Sequence, residues 1–112
     1  MKDFNNKLIV ITGAGSGMGR AYALEFAKLG ARLALNDYDS KGLAETIDLV
    51  RKQSQVELFS AIFDVADRGA MEGFAANVKT ALGNAHVIIN NAGVSGAGQP
   101  VWASPRHPSD DA

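Results

Sequence analysis

Three glycines and one carboxylate are the residues whose types and spacing point most directly to chemistry. Gly13, Gly17 and Gly19 stand in the run Thr12-Gly13-Ala14-Gly15-Ser16-Gly17-Met18-Gly19, between an apolar stretch at 8–11 and an amphipathic stretch at 20–29. A glycine run between a buried strand and a helix lets the backbone turn sharply and approach a diphosphate. It also aims the free N–H groups of the helix start at that anion. The spacing is Gly-x-x-x-Gly-x-Gly. The more general Gly-x-Gly-x-x-Gly fails, because counting from Gly13 and Gly15 the third position is Met18. No Gly-Lys-Ser/Thr follows, which excludes a nucleoside-triphosphate loop of that kind.

Asp37 lies eighteen residues beyond Gly19, at the end of the next apolar run. A ribose-binding acid is expected about 20 residues along. A carboxylate there accepts from both ribose hydroxyls and repels a 2′-phosphate, so the expected cofactor is NAD rather than NADP. Neither Ser16 nor Tyr38 is basic, which agrees. The alternative is a solvated turn through Asn36, Asp37 and Asp39.

The elements that must position these residues follow from hydrophobic period. Residues 8–11 form a continuous apolar strand, the pattern of one covered on both faces. The helix at 18–29 carries few polar residues and is expected to be mostly buried, with Gly30 as its C-cap. A second strand at 33–35 leads to a helix capped by Ser40, with Leu43, Ile47 and Val50 on one face. The third strand, 56–63, ends at Asp64-Val65. Asp67 caps a third helix with Met71, Phe74, Ala75, Val78 and Leu82 in one stripe, stopped by Gly83. The fourth strand, 87–89, closes with Asn90-Asn91-Ala92-Gly93. This alternation predicts an α/β fold: a partial doubly wound, Rossmann-like parallel sheet in the order 3-2-1-4. Residues 1–98 would be the dinucleotide-binding half-domain. Residues 99–112, with Pro100, Pro105 and Pro108, would be an irregular, disordered tail.

At 112 residues the chain is one domain at most, with 46% hydrophobic and 21% charged residues. A net charge of −1 gives no reason to expect nucleic acid or an anionic membrane as partner. There are no cysteines, and His86 and His107 are too far apart to suggest a metal site. The N-terminal residues lack an apolar signal core, and no apolar run approaches the roughly 18 residues of a membrane span. A cytoplasmic protein is expected.

The run 12–19, Asp37, Asp64-Val65 and Asn90-Asn91-Ala92-Gly93 together resemble the N-terminal half of the short-chain dehydrogenase/reductase family. The likeness extends over residues 7–101, four motifs in register with four strands. It implies that Gly13, Ser16, Gly17, Met18 and Gly19 belong to the pyrophosphate loop. It places Asp64 on the adenine amine and Val65 along the adenine pocket. Asn91, Ala92 and Gly93 would pass beside the nicotinamide ribose, while Asn90 ties the fourth strand to its neighbours. Read without the resemblance, Asp64 serves equally well as a cap or turn residue.

Members of that family transfer hydride between NAD and an alcohol or carbonyl, using a Tyr-x-x-x-Lys pair and a preceding Ser. Tyrosine is the general acid/base. Here Phe26 stands four residues after Tyr22 and Gly42 four after Tyr38, so neither tyrosine qualifies and no catalytic residue is assigned. The expectation is NAD binding without turnover. The change of character after Ala103 is the pattern left by a frameshift or premature stop, with a genuine short form or an excised fragment as alternatives. A non-catalytic nucleotide-binding module is the second functional reading. A methyltransferase using S-adenosylmethionine is the third, disfavoured because Thr12 stands where an acid usually precedes the glycines.

A half-domain of this kind would leave a free fourth-strand edge and partly exposed Val10, Val87 and Ile89, favouring self-association. Five further residues or pairs have plainer expectations. His86 is structural, Trp102 packs locally or stays mobile, and Met18 divides between cofactor contact and core. Lys41–Glu45 and Asp48–Lys52 are exposed i, i+4 pairs.

Overall fold

The computed structural model describes residues 3–92. Four strands and three helices alternate: β1 (Leu8–Thr12), α1 (Gly17–Lys28), β2 (Arg32–Asp37), α2 (Ser40–Gln53), β3 (Leu58–Ile62), α3 (Arg68–Leu82) and β4 (Val87–Asn90). The strands form one parallel sheet in the order β3-β2-β1-β4, as the sequence predicts. The loop from Gly93 onward, Trp102 and the expected tail lie outside the described residues.

Central strands are covered on both faces, which is why their sequences do not alternate. Ile9, Ile11, Leu33 and Leu35 pack under α1 and α2 with Ala23, Ala27, Leu43 and Val50. On the other face, Leu8, Val10 and Ala34 pack under α3 with Met71, Phe74 and Val78. Val10 is therefore fully buried, against expectation, because α3 reaches across the middle of the sheet. Val87 and Ile89, on the outer strand β4, are half-buried. Among the described residues β4 pairs with β1 alone. No helix among them is long and apolar enough to cross a membrane.

The expectation of a mostly buried α1 is also corrected. Only Gly19, Ala23 and Ala27 are buried, one small residue per turn. Small side chains let the helix axis sit close to the sheet, so the larger flanking residues Tyr22, Leu24 and Phe26 remain half-buried. The helix ends at Lys28, two residues before Gly30, with Leu29 as C-cap. Gly30, at φ +85, completes a Schellman turn: its N–H reaches the Ala27 carbonyl at 2.9 Å, and the Ala31 N–H reaches that of Phe26 at 3.1 Å.

Helix α2 is capped by Asp39 rather than Ser40. The Asp39 Oδ1 accepts from the Gly42 N–H at 3.2 Å, which makes Ser40 the first helical residue. Adjacent cap-competent residues differ little in propensity, so backbone geometry after β2 decides between them. Asp67 does cap α3, accepting from the Ala70 N–H at 3.0 Å.

His86 is structural. Its Nδ1 accepts from the Leu8 N–H at 3.0 Å while its own N–H donates to the Leu8 carbonyl at 2.8 Å, so it closes the lower end of the β1–β4 pair. Replacing it with Ala leaves the Leu8 N–H without this acceptor. A loss of about 1 kcal/mol is expected in denaturant titration, with no change in ligand binding.

Candidate cofactor-binding site

The sheet order reverses direction at β1, where the chain first builds outward through β2 and β3 and then returns to lay β4 on the other side. Ligands of open α/β sheets bind at such switch points, beyond the carboxyl ends of the strands. A cleft of about 440 Å³ lies there. Gly13, Ser16, Gly17, Met18, Asp37, Asp64, Val65, Asn91 and Ala92, all expected from sequence, line it. Gly93 lies outside the described residues. Asn36, Tyr38 and Phe63 also line the cleft and were not expected.

The glycines do different work. Gly13, at φ +69, passes so close to β4's end that a Cβ would stand 2.7 Å from the Ala92 nitrogen and 2.8 Å from its Cα. Gly19 does not line the cleft but lies beneath it. A Cβ there would collide with the Gly13 carbonyl and come within 2.9 Å of the Ala14 Cα. Gly17, at φ +55, is the opposite case, since a Cβ would meet nothing within 4 Å. The space over Gly17 opens onto the cleft.

Ser16 enters α1 in extended conformation and makes no side-chain cap hydrogen bond, and the first turn holds no acidic residue. The opening N–H groups of a helix have no partner within the helix, and the macrodipole makes that end positive. An uncapped, acid-free helix start beneath an open glycine suits an anion. These residues fit a dinucleotide's diphosphate. The expected division of Met18 between core and cleft resolves toward the cleft, because it is 61% exposed.

Asp37 is tied to the glycine loop. Its Oδ2 accepts from the Gly15 N–H at 2.7 Å and its Oδ1 from the Asp39 N–H at 3.0 Å. The carboxylate is thus held beside the loop and partly exposed toward the cleft. Tyr38, 72% exposed, stands next to it. Across the cleft, Asp64 lines the wall while its Oδ1 accepts from the Ala66 N–H at 2.9 Å, so the turn role is real.

Asn91 and Ala92 brace the loop from the other side. The Asn91 Nδ2 donates to the Gly13 carbonyl at 3.1 Å, and the Ala92 N–H donates to the Thr12 Oγ1 at 3.3 Å. Asn90 pairs opposite Thr12 along the strands. Asn36 is buried, with its Nδ2 on the carbonyls of Ala61 (3.4 Å) and Phe63 (3.0 Å). Its Oδ1 is buried with no hydrogen-bond partner.

Arg20, a polar residue of the first helix that no motif singles out, connects the loop to α2. Its Nη2 lies 2.6 Å from the Gly15 carbonyl, 3.1 Å from that of Gly42 and 3.2 Å from the Glu45 Oε1; its Nε donates to the Thr46 Oγ1 at 2.8 Å. Glu45 therefore pairs with Arg20 instead of the expected Lys41, whereas Lys52–Asp48 forms as expected at 3.0 Å. No local spacing signals Arg20, because apart from Gly15 its partners Gly42, Glu45 and Thr46 come from a segment more than twenty residues away.

Comparison with known proteins extends the likeness past the 7–101 expected from sequence, across the change of character after Ala103. The short chain dehydrogenase family matches residues 7–106. Short-chain dehydrogenase/reductase family 16C member 6 of Bos taurus is 37% identical over 106 residues, covering 95% of this chain and 33% of its own length. A short-chain dehydrogenase/reductase from Burkholderia phymatum, solved in complex with NAD, superposes with a TM-score of 0.77 at 39% identity, covering 98% of this chain and 38% of that one. An NAD+-bound xylitol dehydrogenase gives 0.78 at 37% identity, over 98% of this chain and 41% of its own. The chain thus spans between a third and two-fifths of these relatives' length. The match leaves the methyltransferase reading without support. Loop, strand order and sequence agree over nearly all of the described residues, and the chain belongs to the short-chain dehydrogenase family.

Proposed function

We propose that this chain is the NAD-binding part of a short-chain oxidoreductase, in which NAD carries the hydride exchanged with an alcohol or carbonyl. One observation carries the reading: the open, positive-φ Gly17 at an uncapped helix start, with the Asp37 carboxylate held beside it. In this reading the N–H groups at the start of α1 hold the diphosphate. Asp37 accepts from the adenine-side ribose, and the wall at Asp64 and Val65 receives the adenine. The end of β4 at Asn91 and Ala92 lies along the nicotinamide side. Residues 1–112 contain no Tyr-x-x-x-Lys pair. The chain on its own therefore binds cofactor and does not turn over substrate.

Calorimetric titration of the 112-residue chain with NAD, NADP and S-adenosylmethionine tests this. Saturable NAD binding is expected, with NADP weaker and S-adenosylmethionine absent. A chain that melts cooperatively yet takes up no NAD, or that prefers NADP, would overturn the reading.

A further inference from the structure

Two successive peptide groups of the glycine loop are gripped from behind by side chains that never touch the cleft. The Ala14 carbonyl accepts from the Thr46 Oγ1 at 2.7 Å, and the Gly15 carbonyl accepts from the Arg20 Nη2 at 2.6 Å. Thr46 is fully buried, and Arg20 also donates to its hydroxyl oxygen, so the two form one unit between α1 and α2. Neither Arg20 nor Thr46 lines the cleft.

All peptide bonds among the described residues are trans. In a trans peptide the C=O and the following N–H point in opposite directions. Holding the Ala14 carbonyl against Thr46 therefore aims the Gly15 N–H the other way, onto the Asp37 Oδ2 at 2.7 Å. Holding the Gly15 carbonyl against Arg20 likewise turns the Ser16 N–H toward the side on which Ser16 and Gly17 line the cleft. Without these grips the glycine-rich segment has many orientations open to it, since glycine carries little intrinsic preference.

We infer that Arg20 and Thr46 are positioning residues for cofactor binding: they orient the 14–15 and 15–16 peptides so that one N–H secures Asp37 and the next faces the diphosphate. The inference rests on the NAD reading for its consequence, though not for its geometry. A loop that holds the binding orientation only part of the time binds more weakly by that fraction. The close approach of α2 belongs to the same device. A Cβ on Gly42 would stand 2.7 Å from the Gly15 oxygen, so glycine there lets α2 sit near enough for Thr46 and Arg20 to reach.

The test compares Thr46→Val, which keeps shape and removes the hydroxyl, with Thr46→Ser, which keeps the hydroxyl. Arg20→Met, which keeps the aliphatic stem, is the third variant. Two quantities are read: hydrogen exchange of the Gly15 amide in the ligand-free chain, and NAD affinity by calorimetry. Thr46→Val should speed Gly15 exchange and weaken NAD binding, each by about tenfold or more, since a buried acceptor loses its donor. Thr46→Ser should stay within about threefold of the unaltered chain on both, as its donor remains. Arg20→Met should weaken NAD binding as Thr46→Val does. A stability defect alone would speed exchange across the core amides of β1 and β2 as well, so selective loss of protection at Gly15 separates positioning from folding. If the unaltered chain takes up no NAD, the cofactor reading falls while Gly15 exchange still decides the geometry. Unchanged Gly15 exchange in Thr46→Val overturns the inference, whatever NAD does. So does NAD affinity that survives both Thr46→Val and Arg20→Met.

Discussion

Gly19→Ala should unfold the chain or cost it more than about 3 kcal/mol, whereas Gly17→Ala should fold and lose the cofactor. The two glycines sit two residues apart in the same helix start, and sequence gives no reason to separate them. At Gly19 an added Cβ meets backbone: the Gly13 carbonyl group, with its carbon at 2.7 Å, and the Ala14 Cα at 2.9 Å. Overpacking typically costs about 1–3 kcal/mol where side chains can move aside. Backbone atoms of the adjoining turn cannot, because the 13–15 segment is already pinned by Asn91, Thr46 and Arg20. Domains of this size have only about 5–15 kcal/mol in total. At Gly17 nothing lies within 4 Å of the added methyl, so the folding cost is the left-handed backbone alone, about 1–2 kcal/mol. The methyl then stands in the space where the diphosphate is proposed to lie, and NAD binding should fall at least about tenfold, a clash of about 1.4 kcal/mol being sufficient for that. Urea titration and calorimetry on both variants read the outcome. A Gly19→Ala chain as stable as the unaltered one, or a Gly17→Ala chain that binds NAD normally, would contradict this division of labour.

What the sequence made legible was whatever depends on local pattern or on a fixed motif. The unbroken apolar runs of β1 and β2 signalled strands covered twice, and burial of every residue from Leu8 to Thr12 agrees. Asp67 announced its helix because it is the cap-competent residue immediately before that stripe. Where two such residues were adjacent, Asp39 and Ser40, the pattern could not choose between them. The extent of α1's burial was misjudged for a related reason. Composition reports which residues are apolar, but the contact face was set by Gly19, Ala23 and Ala27, small residues that draw the helix onto the sheet.

The parts of the site that escaped sequence reasoning are those made by tertiary contact between α1 and α2. Arg20 and Thr46 carry no motif, and Gly15 and Gly42 are glycines for want of room instead of for a special φ. A Cβ on Gly15 would stand 2.8 Å from the Asp37 Oδ2, and one on Gly42 would stand 2.7 Å from the Gly15 oxygen. The family motif marks Gly13 and Gly17, which line the cleft, and Gly19 beneath them. The residues that hold the loop from behind become visible only once α2 is laid beside it.

Asp37→Ala should weaken NAD binding roughly 10- to 150-fold, the range of a hydrogen bond to a charged group, and should weaken NADP binding less. The carboxylate has two separable jobs. In the free chain it already holds the Gly15 and Asp39 N–H groups, so its removal loosens the loop for any dinucleotide. In the proposed complex it also accepts from the ribose and opposes a 2′-phosphate, an effect that falls on NAD alone or favours NADP. The loop share should therefore appear equally in both cofactors, and the difference between their losses isolates the ribose share. Asp37→Asn sharpens the separation, because an amide oxygen can still accept from Gly15 while the negative charge is gone. That variant gives up only the exposed contact with the Asp39 N–H, so it should keep most of the chain's stability and narrow the preference for NAD. Equal losses for both cofactors in Asp37→Ala, with an unaltered preference in Asp37→Asn, would reduce Asp37 to a brace of the loop and leave selection between the cofactors to some other residue.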